Sequence, residues 1–398
     1  MKAGLIIAAA LFALPIAGGA RADAPERLTL VFAGDTGFNG PSAAVSPHGG
    51  FKRGKLVRVE ETVTKVAPLL RGDLVFANLE TVVTARNDIP ARAKMFVFRT
   101  HPAHVRALAA SGINVFPAAN NHAMDFGGVG AGETLRALQA MPEVLAAPGL
   151  GETREEAMRP HVFDLRGARV AISAIGNGGG GLPAREGNAG MLREDRDFGA
   201  VAARLAAEAA DIRILSVHYG PEFEPKAGAA DKARFRAALP RGAAIIAGHH
   251  HHVARGIELD GEKLILYGLG NFLHLGTQDM RRFDICRDFG LLARVGLVRR
   301  GEKYKVETVE AVPLTMMHIA PEPMRGEAGR LRVDVLNHLG TRLGEKGLRF
   351  APQADGSGLW CVGDATDERC AGWRAPEASA REAEIAAACG KNVRRGSL

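Results

Sequence analysis

Six side chains spread along the sequence have the chemistry of metal ligands. Asp35, Glu80, Asn121, His218, His250 and His252 offer carboxylate, amide and imidazole donors. Such a mixed oxygen and nitrogen set suits zinc, manganese or iron better than calcium. His250 and His252 are two apart, so in an extended segment they point the same way and can reach two neighbouring ions. His249 and His251 have the same spacing, and the residues alone do not choose between the two registers. Four adjacent histidines would suit a purification tag, but these are internal and directly follow the strand-like run from Ala243 to Ala247.

A divalent metal held there, as one ion or as two about 3.5 to 4 Å apart, would grip phosphate oxygens and activate a water near neutral pH. That is the chemistry of phosphoester hydrolysis. His122, beside Asn121, is placed to protonate the leaving oxygen, and Asp125 to fix its tautomer by accepting a hydrogen bond. A plainer reading has Asn120, Asn121, His122 and Asp125 capping the helix that begins near Val129. Asn78, Asn120, Glu222 and Asn271 are the candidates to bind substrate. Asn39 could line the same cavity, although polar residues beside glycine also serve simply to shape turns. Glu222 and Glu224 could orient His218, one of them being only solvated. Arg99, His101, His104, His161 and His274 are assigned to the surface or to supporting positions. His318 and His338 carry no signal.

The candidate ligands sit where strand-like runs end. Leu28 to Ala33 leads to Asp35, Asp73 to Ala77 to Asn78 and Glu80, Asn114 to Ala118 to Asn121, Ile212 to Val217 to His218, and Ala243 to Ala247 to the histidines. A further run from Leu264 to Tyr267 precedes Asn271. Between these runs, Lys55 to Leu70, Pro102 to Ala110, Val129 to Ala140 and Ala200 to Ala210 have helical spacing. Buried strands alternating with helices predict an α/β layered domain, in which loops beyond the strand ends converge on a rigid base. Val170 to Ile175 is one more strand, followed by the glycine-rich loop Gly176 to Gly181, which is expected to be flexible and near the site. Leu291 to Val298 and Tyr304 to Val312 alternate as a hairpin around Gly301 does, and Gly329 to Leu343 is helical. The tail beyond Phe350 is expected to form a peripheral cap or edge.

The composition excludes other classes. In 398 residues, 46% are hydrophobic and 24% charged, and the net charge of +7 is spread thinly. No basic run with interleaved aromatics marks a nucleic-acid groove. No Gly-x-Ser-x-Gly elbow or Walker loop is present, so neither that serine chemistry nor a P-loop is supported. Lys2, the apolar stretch from Leu5 to Ile16, and Ala20-Arg21-Ala22 have the form of a secretory signal over residues 1–22, too short in its apolar part for the ~20 residues of a membrane span. The mature chain is therefore expected to be soluble in the periplasm or outside the cell. Cys286, Cys361, Cys370 and Cys389 then allow two disulfides in three connectivities, with Cys361 to Cys370 the easiest pair.

At this point the residues resemble the CapA (PgsA-like) capsule and poly-γ-glutamate biosynthesis proteins, whose fold is similar to calcineurin-like metallophosphoesterases. The resemblance rests on ordered blocks. These are Ala33-Gly34-Asp35, Asp73 with Asn78-Leu79-Glu80-Thr81, Ala119 to Ala123 with Asp125 and Gly127, His218-Tyr219-Gly220 with Glu222, Gly248 through Val253, and Tyr267 with Leu269 to Phe272. They cover Leu28 to about Leu273. The resemblance implies a four-layer α/β/β/α sandwich of the metallo-dependent phosphatase type, with a site built from Asp35, Glu80, Asn121, His122, His218, His250 and His252. It also settles the histidine register, because the family's Gly, two residues, Pro, His pattern sets Pro at His251 and its terminal His at His252. Gly37 to Gly40 replaces a more apolar stretch ending in Arg, Tyr219 stands where Trp is usual, and Gly268 where Ser is usual. True phosphoesterases carry an extra His after the first Asp and an Asp at the place of Glu80, departures that weaken one ion position.

These readings divide the chain into a signal peptide (1–22), a CapA-like domain (23–280), a hairpin and helix that complete it (281–345) and a Cys-containing tail (346–398). The function expected is synthesis, processing or export of an anionic envelope polymer or its precursor, alongside membrane synthesis or export subunits. The alternative is a non-catalytic scaffold or polymer-binding subunit that keeps the fold.

Overall fold

The structure is a computed structural model that describes residues 26–177, 184, 187–239 and 243–391. The signal segment and most of the Gly176 to Gly181 loop lie outside the described residues. Two mixed sheets pack face to face. In the first, Arg27–Gly37 is the hub: it runs parallel to Leu74–Leu79 along one edge. Its other edge pairs antiparallel with Gly290–Arg300 and then, from Asp35 to Gly37, parallel with Asn271–His274. Lys303–Thr315, Gly358–Cys361 and Ala351–Pro352 continue this sheet outward. The second sheet runs in the order Ile257–Asp260, Lys263–Leu266, Ala243–His249, Ile212–His218, Ala168–Gly176 and His161–Leu165.

The period-two alternation of each strand builds the layers. Leu28, Leu30 and Phe32 point between the sheets and meet Ile172, Ile214 and Ile245 from the second. Val31 and Ala33, on the opposite face, pack on Val105 and Leu108 of the helix Pro102–Ala110. Leu215, Ile246 and Ile265 likewise turn outward against Val201 and Leu205 of the helix Glu194–Ala207 and against Phe235. The result is the α/β/β/α sandwich expected. Each fully buried Leu, Ile or Phe contributes about 1.5–3 kcal/mol by leaving water, so the strand ends stand on a stiff base.

Two expected elements differ. The run from Lys55 to Leu70 is not one helix, because Arg53 and Gly54, with φ of 48° and 77°, turn Lys55–Val57 back on Gly50–Lys52 as a hairpin. Only Val59–Val63 and a short turn at Ala67–Leu69, which contains Pro68, are helical. Asn114 to Ala118 lies extended beside Leu74–Leu79 and accepts from the Ala77 and Leu79 amides, but forms isolated bridges only at Val115. Pro117 has no N–H to continue a ladder. Elsewhere the pattern is close: Gly127–Gln139 is helical, the hairpin turns at Gly301 with φ of 63°, and Gly326–Thr341 is a helix. The disulfides are Cys361–Cys370, the expected pair, and Cys286–Cys389, which ties the last helix, Glu382–Gly390, to the body. No helix among the described residues is long and apolar enough to cross a membrane.

Candidate metal centre

Register brings the carboxyl ends of four strands to one place. Asp35 is paired with Asn78 on one side and with Asn271 on the other, and His218 is paired with His249. The first strand can approach so closely because residue 34 is glycine, where a Cβ would lie 2.0 Å from the Gly270 carbonyl oxygen. The Asp35 amide donates to that same oxygen at 2.9 Å.

Two ligand groups result. Glu80, His218 and His250 form one, and Asp35, Glu80 and His252 the other, each with its donor atoms within 4.8 Å of one another. Glu80 belongs to both. All five side chains are buried or nearly so, and among the described residues both Glu80 oxygens and His250 Nδ1 lack a hydrogen-bond partner. A buried polar atom without a partner costs roughly 1–3 kcal/mol, and more when charged. A divalent cation is the group that would meet these needs, and carboxylates with imidazoles are the donors that zinc, manganese or iron take.

Neighbours orient these ligands. Asn78 Nδ2 donates to Asp35 Oδ1 at 2.9 Å and stands 3.2 Å from His218 Nδ1. Asn121 Oδ1 lies 2.8 Å from His218 Nε2, itself 3.4 Å from Glu80 Oε1. Asn271 Oδ1 lies 2.8 Å from His252 Nδ1, the ring nitrogen that also faces Asp35 Oδ2 at 3.5 Å and Glu80 Oε2 at 4.0 Å. The histidine run is not extended as expected: His250 and His252 have φ of 92° and 58°. The two left-handed residues turn the chain so that both rings reach the carboxylates, while His251 packs edge-on against Tyr219 at 4.6 Å.

The electrostatics are those of a cluster with more acid than burial tolerates. Desolvation favours the neutral form of Asp35, but His249 and His252 hold it well below the usual carboxylate range. Burial and then the Asp35 charge push Glu80 well above its usual range. Burial also opposes charge on His252, yet the fields of Glu80 and Asp35 push it up to about 10. Burial, and next the neighbouring His252, lower His250 to about 4, which leaves a neutral imidazole.

A second group adjoins this cluster. His122 Nδ1 lies 2.7 Å from Asp125 Oδ2, which also accepts the Phe98 amide at 2.7 Å. Burial lowers His122 below its ordinary value against the opposing pull of Asp125. This exceeds a capping role, since the side chain that turns the backbone is Asn120: its Nδ2 donates to Leu79 O at 2.8 Å and its Oδ1 accepts the His122 amide at 3.1 Å. Asn39 likewise clamps its own loop, through Ala43, Ala44, Gly40 and Phe51. The half-buried Glu222 adds negative field at Glu80, His250 and His252. Glu224 caps Lys226 N.

Three further residues belong to the site: His249, which the sequence offered in the alternative histidine register, His274, and Lys94, which no motif marked. His249 Nδ1 lies 3.2 Å from Asp35 Oδ1, and its ring stacks on Phe76 at 5.4 Å. Lys94 reaches Asp125 Oδ1 and the Asn121 carbonyl, at 2.7 and 2.8 Å, from a segment with no strand signal. His274, assigned to the surface or to support, is fully buried with Nε2 3.6 Å from Glu80 Oε2. Its pairing with Gly37, two residues past Asp35, is visible only in the register.

Known proteins share parts of this chain. PGA biosynthesis protein CapA of Bacillus subtilis (strain 168) is 30% identical over 211 residues, which are 52% of this chain and 55% of that protein. A probable polyglutamine synthesis accessory protein of Mycobacterium tuberculosis (strain ATCC 25618 / H37Rv) is 32% identical over 211 residues, 50% and 55% of the two chains. The chain thus spans about half the length of these curated relatives. Among solved structures, a 5'-nucleotidase precursor from Thermus thermophilus aligns at 12% identity over 76% of this chain and 55% of that one, with a TM-score of 0.37. Residues 29–275, which hold every candidate ligand, match the family described as bacterial capsule synthesis protein PGA_cap, and the chain belongs to that family.

Proposed function

We propose that this chain acts in the synthesis, processing or export of a capsule or poly-γ-glutamate-type envelope polymer, as an exported protein with a metal-dependent phosphoesterase-type hydrolytic site. The observation that carries the reading is the Glu80 carboxylate shared by two groups of buried ligands. Each group supplies three protein donors, which leaves coordination positions for water or substrate, as hydrolytic sites require. Divalent ions bound there would supply Lewis acidity and lower the pKa of water.

The chain's own residues divide the remaining work. Asp35, Glu80, Asn121, His218, His250 and His252 would hold the ions, with Asn121 Oδ1 and His218 Nε2 side by side at 2.8 Å, while Asn78 positions Asp35 and His218 and Asn271 positions His252. His122, its tautomer fixed by Asp125, passes a proton to the leaving oxygen. Asn78, Asn120, Glu222 and Asn271 border the place where substrate would lie. The family membership and the printed role of the Bacillus relative support an anionic polymer or its precursor as substrate, with membrane synthesis or export subunits as partners. Two disulfides support folding outside the cytoplasm.

Metal analysis of wild type against a His250→Ala, His252→Ala double variant tests the site. One to two equivalents of zinc, manganese or iron in the wild type and a large loss in the variant are expected; equal, negligible metal in both would overturn it. Phosphomonoesters, phosphodiesters and γ-glutamyl peptides are then screened with added manganese or zinc. Turnover abolished by His122→Ala supports hydrolysis, and bound metal without turnover of any of them assigns the chain to a scaffold or polymer-binding role.

A further inference from the structure

Glu80 is the side chain on which both ion positions depend, yet no hydrogen bond from the described residues fixes its orientation, His218 Nε2 standing 3.4 Å from Oε1. Both its oxygens are buried and without a hydrogen-bond partner. A fully buried group outside both ligand groups faces it: His274, whose Nε2 lies 3.6 Å from Glu80 Oε2 and also has no hydrogen-bond partner among the described residues. Two unmet polar atoms, a nitrogen and a carboxylate oxygen, thus point at each other across a gap slightly longer than a hydrogen bond.

The ring's other nitrogen decides which role it can play. His274 Nδ1 accepts the Gly276 amide at 3.2 Å. A neutral imidazole with Nδ1 as acceptor carries its proton on Nε2. That nitrogen is then a donor and not a metal ligand. Ring position is equally constrained. The Phe98 ring meets it edge-on at 5.1 Å. Gly37 and Gly276 leave the space it fills: a Cβ on Gly37 would lie 3.1 Å from both Cε1 and Nε2, and one on Gly276 would lie 2.9 Å from Cε1. The backbone beneath is anchored by the His274 amide, which donates to Met317 O at 2.8 Å.

We propose that His274 is a positioning residue whose Nε2–H binds Glu80 and holds the shared carboxylate in the orientation that serves both ions. This rests on the reading of the site as a metal centre. Carboxylate ligands are themselves held by hydrogen bonds from a surrounding layer, and loss of such a partner weakens metal binding by about 10–100-fold.

The test compares His274→Gln with His274→Met. Both side chains are flexible and similar in length, but only glutamine places an N–H donor where Nε2 stands. Binding of manganese to metal-free protein is measured by calorimetry, with thermal melting of the metal-free forms alongside. Wild-type and Gln proteins are expected to bind within a few-fold of each other, and the Met protein roughly 10–100-fold more weakly or with fewer equivalents. The two variants are expected to melt together, because the change in packing is common to both. Equal manganese affinity in the Gln and Met proteins, whether both match wild type or both are weakened, overturns the role of the donor. Wild-type protein that binds no manganese, zinc or iron overturns the metal-centre reading and this role with it, an outcome read from the wild-type arm alone.

Discussion

Lys94 places its ammonium 2.7 Å from Asp125 Oδ1, while the other oxygen of Asp125 lies 2.7 Å from His122 Nδ1. The carboxylate is therefore pinned by a cation, a backbone amide and an imidazole. Removing the cation should loosen the carboxylate and free the Asn121 carbonyl that Lys94 also holds, at 2.8 Å, while every ligand side chain remains present. Lys94→Met is expected to lower turnover roughly 10-fold, well short of the 10²–10⁴-fold expected for His122→Ala. Initial rates on a chromogenic phosphodiester check this, with bound metal measured in parallel and expected to be unchanged.

The two disulfides should differ in weight. Cys286–Cys389 closes 103 residues of sequence and Cys361–Cys370 only 9. Loop-closure entropy grows with length, so the first is expected to contribute about 4–5 kcal/mol and the second about 2–3 kcal/mol. Arg287, beside Cys286, adds bonds to Ala388 O and to Phe223 O, coupling the last helix to the loop that carries Glu222. Urea unfolding of the Cys286→Ser, Cys389→Ser pair should therefore show the larger fall in midpoint. An equal or smaller fall than for the Cys361→Ser, Cys370→Ser pair would contradict the loop argument.

The part of the site that lies on regular strands was legible, because apolar runs ending in Asp35, Glu80, His218 and the histidine tetrad announce both the strand and its terminal side chain. Asn114 to Ala118 announced its location although Pro117 keeps it from being a strand. Lys94 and His274 could not be read in the same way. Lys94 acts from an irregular segment whose path is set by bonds such as Arg92 N to Asp125 O at 2.8 Å, which no local pattern encodes. His274 owes its place to the pairing of Asn271–His274 with the first strand, from the far end of the family-matched region, and to the missing side chain of Gly37. The bent path of His250 and His252 was equally hidden, since an extended and a left-handed segment can present the same two rings.

Lys52 makes a prediction about pH. Its half-buried ammonium donates to Leu275 O at 2.6 Å and to Thr277 O, just past His274. Burial, and next the charge of Arg53, lower it to about 8 from an ordinary 10.5, against a weak opposing pull from Asp279. The sign follows from proton linkage. Between about 8 and 10.5 the unfolded chain keeps a proton that the folded chain has released, so this group adds stability as pH rises through that window. Urea midpoints at pH 7.5 and 10 should therefore show a rise in wild type, relative to Lys52→Met, that the variant lacks. Identical pH dependence in the two would show that Lys52 does not titrate there.

Gly34 tests whether strand approach, and not ligand identity alone, assembles the centre. A methyl group at this position would lie 2.0 Å from Gly270 O and 3.1 Å from Leu269 O, both backbone atoms that no rotamer change can move. Gly34→Ala must push the first strand away from the segment that leads into Asn271, and with it Asp35 away from His252. A crowded core substitution typically costs 1–3 kcal/mol, which a sandwich of this size can absorb and still fold. The expected result is therefore a folded protein with a lowered melting temperature and a loss of bound metal, although every ligand is present. Gly187→Ala, where a Cβ meets nothing within 4 Å among the described residues, carries the cost of its φ of 70° without that displacement and should keep its metal. Full metal content in Gly34→Ala would mean that the ligands find the ions without help from the close approach of these two strands.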